Sequence, residues 1–231
     1  MQRVVAITGG FGTLGRAVGS VFAADGWKVA LLDRAPAPDI PTPDGQDAQW
    51  PLGGVDLTDL GSARKAMSSV AEQLGPLNAL INVAGGFRWE KLTDSNLETW
   101  DLMYQMNVRT AATASRAALE QFADGPEGGR IVNIGAGAAL RAGAGMGAYA
   151  ASKAGVLRLT EALSDELKDR GITVNAILPG IIDTPQNRKD MPDADFSRWV
   201  QPADIAAVIL FLASRAASAV TGASIPVTGR L

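Results

Sequence analysis

Two residues four positions apart could act as a proton-transfer pair. Tyr149 and Lys153 lie in the segment AYAASKAG, and residues at i and i+4 share one face of a helix. A cation beside a phenol favours the phenolate and lowers the pKa of a tyrosine from its reference of about 10. The pair is therefore predicted to donate or accept a proton at neutral pH. An exposed lysine beside a half-buried tyrosine is the alternative, because this spacing alone is a weak signal.

A glycine-rich turn near the start of the chain indicates a dinucleotide site. The β-branched run at 3–8 predicts a buried strand, and the apolar spacing after the turn predicts a helix that ends at Gly26. The glycines between them are Gly9, Gly10, Gly12 and Gly15. Such a turn lets the backbone approach a pyrophosphate at the N-terminus of the helix. Glycines that only mark a turn are the alternative.

The second strand supports the dinucleotide interpretation. The run WKVALLD predicts a strand that ends in Asp33, and an acidic residue about twenty positions after the glycines is where a ribose 2′-hydroxyl is bound. NAD(H) is therefore the preferred cofactor. NADP(H) stays as the alternative, because Arg34 or Arg16 could pair with a 2′-phosphate.

Composition limits the remaining interpretations. With 231 residues, 47% of them hydrophobic, the chain can bury one large α/β core, and we expect a single domain over 1–231. The net charge of -3 argues against a nucleic acid or an anionic membrane as a partner. No apolar run is long enough to span a bilayer, and no cleaved signal is evident, so a cytoplasmic protein is expected.

Two residue types are missing from the chain, and both absences restrict its chemistry. The sequence contains no histidine and no cysteine. Ser-His-Asp hydrolysis, histidine-based zinc sites, disulfides and thiol chemistry are therefore excluded. No metal site is predicted.

Strand and helix patterns alternate along the chain without an internal repeat. The stretch 35–51 is predicted to be a loop because it holds five prolines: Pro36, Pro38, Pro41, Pro43 and Pro51. Later strands are predicted at 55–59, 77–86, 129–137, 172–180 and 223–229, and helices at 97–123, from Tyr149 to about Arg170, and at 202–214. This alternation predicts an α/β fold with one Rossmann-type, doubly wound parallel sheet and helices on both faces.

Ordered motifs over the whole length resemble the short-chain dehydrogenases/reductases. They are TGGFGTLG at 8–15, DLT at 56–58, NVAG at 82–85, Asn107 in MNVR, YAASK at 149–153, PGIIDT at 179–184 and TGASIPVTG at 221–229. The resemblance implies an NAD(P)-dependent oxidoreductase that acts on a small molecule. It also implies a homodimer or homotetramer, in which the helices at 97–123 and 149–170 pair across a two-fold axis.

The resemblance implies a role for individual residues. Asn107, Tyr149 and Lys153 would be catalytic, with Lys153 also holding the nicotinamide ribose and Asn107 helping to organise a proton-relay water. Asp33 would bind the adenine ribose, and Asp56 the adenine, unless Asp56 caps the following helix. The full set of expected cofactor contacts is Gly9, Gly12, Thr13, Leu14, Gly15, Asp33, Asp56, Leu57, Asn82, Ala84, Gly85, Tyr149, Lys153, Pro179, Ile182 and Thr184.

Two positions depart from the family pattern. Thr13 replaces the middle glycine of the fingerprint, and Ala136 stands where the family carries a catalytic serine, thirteen residues before Tyr149. The segment from Gly135 to Ala148 contains no hydroxyl that could substitute. A lost donor to the substrate oxygen costs about 10²–10³ in rate, so either the substrate does not need this donor or the site is weakened.

The dihydropteridine reductases within this family resemble the chain in lacking that serine. Local stretches agree as well: VAGG at 83–86 followed by Phe87, GAYAASKAG at 147–155 and DTPQNRKDMPDADFSRW at 183–199, where the family has its substrate lid. A quinonoid dihydropterin has no carbonyl oxygen that a serine must hold, and Tyr149 would supply its proton.

Other features leave the substrate open. Phe87, Trp89 and Trp199 could stack on a flat ring or could be packing residues, and Arg188 and Lys189 could be solvated or could close over the cofactor phosphates. Asn107 and the ending TGASIPVTG follow the general family pattern. Three interpretations therefore remain: a dihydropteridine reductase-like enzyme, an alcohol or carbonyl dehydrogenase with an atypical site, and a dinucleotide-binding module without catalysis.

Overall fold

Seven parallel strands form one sheet in the computed structural model, which describes residues 2–38, 49–123 and 128–230. The strands are β1 (Val4–Thr8), β2 (Lys28–Leu32), β3 (Gln49–Leu52), β4 (Ala79–Asn82), β5 (Arg130–Ile134), β6 (Thr173–Pro179) and β7 (Ser224–Val227). Their order in the sheet is β3-β2-β1-β4-β5-β6-β7. The predicted doubly wound parallel sheet is confirmed.

Helices cover both faces of this sheet. They are α1 (Thr13–Ala24), α2 (Leu60–Leu74), α3 (Glu98–Met103), α4 (Thr110–Ala118), α5 (Gly147–Glu166), α6 (Pro185–Asp190) and α7 (Pro202–Ala213). Alternate residues of β1 show how the two layers arise, because successive strand side chains point to opposite faces. Val5 and Ile7 pack in the core that α1 and α7 share, whereas Val4 and Ala6 pack in the core that α2 and α4 share.

The predicted third strand is wrong in its position. β3 spans Gln49–Leu52 and lies within the stretch expected to be a loop, whereas the segment 55–59 follows the strand as a turn. Pro51 pairs in register with Leu31 of β2. β3 is an edge strand, where a residue that lacks a backbone N–H is tolerated. The other part of the expected loop that contains Pro41 and Pro43 lies outside the described residues.

Two predicted helices differ in their extent. The helix expected over 97–123 is α3, then a π-helical segment at Tyr104–Arg109, then α4, which ends at Ala118. Isolated π-helical turns of this kind are frequent at functional sites, and this one contains Asn107. The helix expected to run to about Arg170 ends at Glu166 and continues as a short 3₁₀ turn at Lys168–Arg170.

The strand order indicates where in the sheet a ligand would bind. β1 lies between β2 and β4, so the chain winds away in opposite directions from this point. In open α/β sheets, ligands bind beyond the carboxyl ends of the strands at this switch point. β1 ends at Thr8 and β4 at Asn82, and each is followed by a glycine-containing turn.

Candidate active site

The turn after β1 leaves the N-terminus of α1 open. Gly9 has a φ of +63°, and the Gly12 amide donates to the Gly9 carbonyl oxygen at 3.2 Å. Gly12 is the N-cap of α1 and has no side chain to satisfy the first helical N–H groups. Thr13, the departure from the family fingerprint, is the first residue of the helix. These free donors suit an anionic phosphate group.

Asp33 follows β2 and is held by two backbone amides. Its Oδ2 accepts from the Phe11 amide at 3.0 Å, and its Oδ1 accepts from the Ala35 amide at 3.0 Å. The carboxylate therefore has a defined position beside the glycine turn. Arg34 is exposed and lines the same cavity.

Two acidic residues, Asp56 and Asp59, lie between β3 and α2. Asp59 caps α2, because its Oδ1 accepts from the Ser62 amide at 2.7 Å. Asp56 instead accepts from the amide and the hydroxyl of Thr58, at 2.9 and 2.7 Å. The bond from the Thr58 hydroxyl is the main cause that lowers the pKa of the Asp56 carboxyl. The alternative role of Asp56 as a helix cap is therefore wrong.

A cavity of about 480 Å³ joins these segments. The predicted cofactor contacts that line it are Gly9, Gly12, Thr13, Leu14, Gly15, Asp33, Asp56, Leu57, Ala84, Gly85 and Thr184. The lining combines glycines and free helical N–H groups with carboxylates and the apolar side chain of Leu57. This set of groups fits a dinucleotide, with the helical N–H groups suited to phosphate and the carboxylates and Leu57 suited to adenosine.

Five predicted contacts do not line this cavity: Tyr149 and Lys153, described below, and Asn82, Pro179 and Ile182. The Asn82 side chain is buried and donates to Asn133 Oδ1 at 2.8 Å and to Ser115 Oγ at 3.1 Å. Pro179 is buried at the end of β6. Ile182 packs against the hydrophobic core and forms an isolated parallel bridge with Val200.

Sequence reasoning missed several lining residues. They are Val55, Thr58, Val83, Met106, Thr110 and Gln186. Thr58, Val83 and Met106 lie inside the motifs DLT, NVAG and MNVR, and Gln186 lies in the segment 183–199, so these stretches were a usable signal. Val55 and Thr110 each adjoin one of the motifs. Met106 and Thr110 reach the cavity from the π-helical segment and the start of α4, and Gln186 from α6, which depends on how separate helices pack.

Lys153 lies on the buried face of α5. Its Nζ donates to the Ile134 carbonyl oxygen at 2.7 Å and lies 6.0 Å from the centroid of the Tyr149 ring. Burial lowers the pKa of Lys153 to about 8, because a charged ammonium is costly away from water. The side chains of Tyr149 and Lys153 are therefore neighbours, as the helical spacing predicts.

The pKa of Tyr149 differs from the sequence expectation. Burial raises it to about 12, whereas a neighbouring cation was expected to lower it. The ring packs edge-to-face against Phe87, with centroids 4.9 Å apart and planes at 89°, and this apolar neighbour adds to the loss of water. Tyr149 is therefore a neutral phenol at neutral pH, which is the state a proton donor needs.

Asn107 connects this pair to the cavity. Its Oδ1 accepts from the Gly86 amide at 3.0 Å, and its Nδ2 donates to the Gly86 carbonyl oxygen at 3.1 Å and to Ser152 Oγ at 3.0 Å. A Cβ added to Gly85, which lines the cavity, would come within 3.4 Å of Lys153 Nζ and would also meet Asn107 Oδ1. The three predicted catalytic residues therefore form one cluster beside Gly85, which lines the cavity.

Ala136 occupies the position of the family serine. It follows β5, with a φ of −165° and a ψ of 154°, and it is buried. The loop behind it is tied to the loop after β4: Trp89 Nε1 donates to the Ala144 carbonyl oxygen at 3.0 Å, and the Glu90 amide donates to the Gly145 carbonyl oxygen at 2.8 Å.

The segment 183–199 is folded against itself. Arg188 donates to both carboxylate oxygens of Asp183, at 2.6 and 2.7 Å, and its guanidinium lies 4.8 Å from the centroid of the Phe196 ring. This hydrogen bonding lowers the pKa of Asp183 to about 2. Arg188 is solvent-exposed, as the first alternative predicts, and its guanidinium is paired with Asp183. Trp199 is 4% exposed and stacks near Phe196, so it is a packing residue.

Comparison with known proteins identifies the family. The family model described as short chain dehydrogenase matches residues 3–195. The chain belongs to the short-chain dehydrogenases. It is 32% identical over 249 aligned residues to 2-(S)-hydroxypropyl-CoM dehydrogenase 3 of Xanthobacter autotrophicus, covering 99% of this chain and 96% of that protein.

Solved structures agree with this assignment. A short-chain type dehydrogenase/reductase from Mycobacterium ulcerans superposes with a TM-score of 0.90 at 27% identity, covering 100% of this chain and 90% of that one. A blue fluorescent protein from a metagenomic library, in complex with NADPH, superposes with a TM-score of 0.82 at 32% identity, covering 98% and 96%. Family membership makes this chain an NAD(P)-dependent oxidoreductase that acts on a small molecule.

Two further findings concern membranes and metals. Within residues 2–38, 49–123 and 128–230, no helix has the length and apolar character needed to cross a bilayer. In the same part of the chain, no group of three or more acidic side chains is placed to hold a metal ion.

Proposed function

We propose that this short-chain dehydrogenase is an NAD(H)-dependent reductase of a flat heterocycle, of the quinonoid dihydropterin type. The observation that carries the proposal is a half-buried, neutral Tyr149 in a site with no second hydroxyl at the Ala136 position. Such a site can deliver a proton but lacks the donor that would hold a carbonyl oxygen.

The cavity residues would hold the cofactor. The open N-terminus of α1 would bind the pyrophosphate, Asp33 the adenine ribose and Lys153 the nicotinamide ribose. NAD(H) bound there supplies the hydride. Tyr149 supplies the proton, and the pKa of about 12 keeps the phenol protonated over the whole neutral range.

Exposed aromatic residues support a flat substrate. Phe87 is 52% exposed although its ring packs on Tyr149, so its free surface adjoins the proton donor. Trp89 is also exposed, and its hydrogen bond to Ala144 holds the indole in place. A planar ring could stack on such surfaces, and a ring nitrogen could accept the proton without a serine. The segment 183–199 is proposed as the substrate lid.

We expect tighter binding of NADH than of NADPH. Asp33 can accept from a 2′-hydroxyl and repels a 2′-phosphate, and we expect its effect to exceed the attraction of Arg34. Titration of the protein's fluorescence should give a Kd for NADH at least about tenfold lower, a difference of about 1.4 kcal/mol. Asp33→Asn should reduce this ratio. Equal Kd values for the two cofactors would contradict the assignment.

Adding the missing hydroxyl should separate pterin reduction from carbonyl reduction. A well-placed donor is worth about 2.7–4 kcal/mol in the transition state, and one without supporting contacts delivers less. Ala136→Ser should therefore raise a low ketone or aldehyde activity and leave pterin reduction unchanged or slower. Steady-state kinetics of both proteins on one pterin and one carbonyl substrate test this. Ala138→Ser, with the same hydroxyl two residues further along, is the control and should change neither activity.

An alcohol or carbonyl dehydrogenase is the second candidate. It is favoured by the name of the Xanthobacter relative, a hydroxypropyl-CoM dehydrogenase. In this case the unmodified protein should already turn over carbonyl substrates rapidly, and the hydroxyl of Ala136→Ser would crowd the group that holds the oxygen. High carbonyl activity that falls in Ala136→Ser would support this candidate over the pterin proposal.

We also propose that the chain forms at least a dimer through α4 and α5, whose outer surfaces carry small residues such as Ala112, Ala151 and Gly155. A mass near 24.0 kDa by light scattering at micromolar concentration would contradict this. A cytoplasmic location stays a prediction.

A further inference from the structure

Helix α5 carries a buried hydroxyl between its two catalytic side chains. Ser152 is 4% exposed. Its Oγ donates to the Tyr149 carbonyl oxygen at 2.7 Å and accepts from Asn107 Nδ2 at 3.0 Å. The hydroxyl therefore joins α5, near the proton donor, to the π-helical segment that carries Asn107.

Both N–H groups of the Asn107 amide are engaged in hydrogen bonds. They donate to the Gly86 carbonyl oxygen and to Ser152 Oγ, with Met103 Sδ as a weak acceptor at 3.9 Å, and the amide oxygen accepts from the Gly86 amide. Asn107 thus holds both peptide groups of Gly86.

Gly86 in turn sets the position of the ring that touches the proton donor. Phe87 is the next residue, and its ring meets Tyr149 edge-to-face at 4.9 Å. The contacts close a circuit that runs from Tyr149 through Phe87, Gly86, Asn107 and Ser152 and back to Tyr149. Each member of the circuit restrains the next, and Ser152 is the only one that bonds both to Asn107 and to the Tyr149 backbone.

We propose that Ser152 is a positioning residue for Tyr149, acting through Asn107 and Phe87 without contacting the substrate. The inference rests on the proposed function, in which Tyr149 delivers the proton. Without the hydroxyl, one N–H of Asn107 is left buried with only the weak acceptor Met103 Sδ at 3.9 Å, which is unfavourable. The amide must then shift, and with it Gly86 and the Phe87 ring.

Ser152→Ala tests the proposal. A displacement of about 1 Å in a reacting group can cost about 10²-fold in rate. We therefore expect kcat for the reduction to fall by about 10- to 100-fold. KM for the substrate and Kd for NADH should stay close to the values of the unmodified protein, since Ser152 is not among the residues that line the cavity. Steady-state kinetics and a fluorescence titration with NADH give the three values.

The same helix offers a matched control. Thr160 is fully buried, its Oγ1 donates to the Val156 carbonyl oxygen at 2.8 Å, and it accepts from Asn133 Nδ2 at 2.9 Å. Thr160→Val removes a hydroxyl with the same kind of bonds two turns away, while keeping the shape of the side chain. It should lower the melting temperature about as much as Ser152→Ala does and leave kcat unchanged.

Restoring the hydroxyl should restore the rate. Ser152→Thr keeps an Oγ that can bond a carbonyl oxygen of the preceding turn, so its kcat should exceed that of Ser152→Ala. If Ser152→Ala does not fold, Ser152→Cys replaces it in the test. Cysteine has a similar volume but only a weak hydrogen-bonding group, so kcat should again fall while KM and Kd stay unchanged.

Three outcomes would overturn the proposal. The first is an unimpaired kcat in Ser152→Ala, and the second is an equal loss of kcat in Thr160→Val. If the unmodified protein is active, either of these two outcomes would overturn the role of Ser152 and leave the proposed function intact. The third is an unmodified protein with no NADH-dependent reduction, which would overturn the proposed function and this inference with it.

Discussion

Tyr149→Phe should lower the rate of reduction by about 10²–10⁴-fold, which is the usual contribution of a general acid. The phenol is protonated at neutral pH because burial raises its pKa to about 12, and the segment from Gly135 to Ala148 offers no other hydroxyl. Phenylalanine preserves the ring that packs against Phe87, so the fold should be retained. NADH binding should persist, because the phenol is not expected to be the main anchor of the cofactor.

The chain supplies a control for this variant. It contains 2 tyrosines, and the second, Tyr104, is 55% exposed. Tyr104→Phe removes the same hydroxyl outside the cluster and should leave the rate unchanged. Steady-state rates and NADH affinities of both variants provide the comparison. Retention of most turnover by Tyr149→Phe, with any substrate, would remove Tyr149 from the role of proton donor.

Gly15→Ala should weaken NADH binding. A Cβ at this position would run into the Gly9 carbonyl oxygen and would lie 2.8 Å from Gly10 Cα. Both are backbone atoms of the turn that lines the cavity, so the turn or the helix must move. Overpacking of this kind typically costs about 1–3 kcal/mol. We expect Kd to rise by at least about tenfold, measured by fluorescence titration.

Gly19→Ala is the matched control in the same helix. The nearest atom to its added Cβ is Leu31 Cδ2 at 3.0 Å, at the end of a side chain that can rotate. Gly19→Ala should therefore bind NADH as the unmodified protein does. An unchanged Kd in Gly15→Ala would mean that the glycine turn is not the phosphate site.

The parts of the site that could be predicted from sequence depend on local chemistry. The glycine turn, Asp33 and Asp56 each follow a strand, and their residue types suit a dinucleotide wherever such a strand–turn–helix unit occurs. These residues line one cavity. Tyr149 and Lys153 meet because helical spacing alone brings them onto one face.

The remaining features depend on packing between distant segments. The pKa of Tyr149 rises because burial, with Phe87 from another loop against the ring, outweighs the nearby cation. Pro51 is tolerated in β3 because this strand lies at the edge of the sheet. Trp199 resembles a substrate contact in sequence but is buried beside Phe196. No role for Ser152 is predicted from sequence, because its hydrogen-bond partner Asn107 is 45 residues away along the chain.

We propose that this short-chain dehydrogenase uses NADH and Tyr149 to reduce a flat heterocycle. The most direct test is the rate of NADH oxidation by the unmodified protein with quinonoid dihydropterin, measured beside a panel of aldehydes, ketones and quinones. We predict that kcat/KM is highest for the pterin and low for the aldehydes and ketones. Rapid turnover of a carbonyl substrate with no reduction of the pterin would contradict the account.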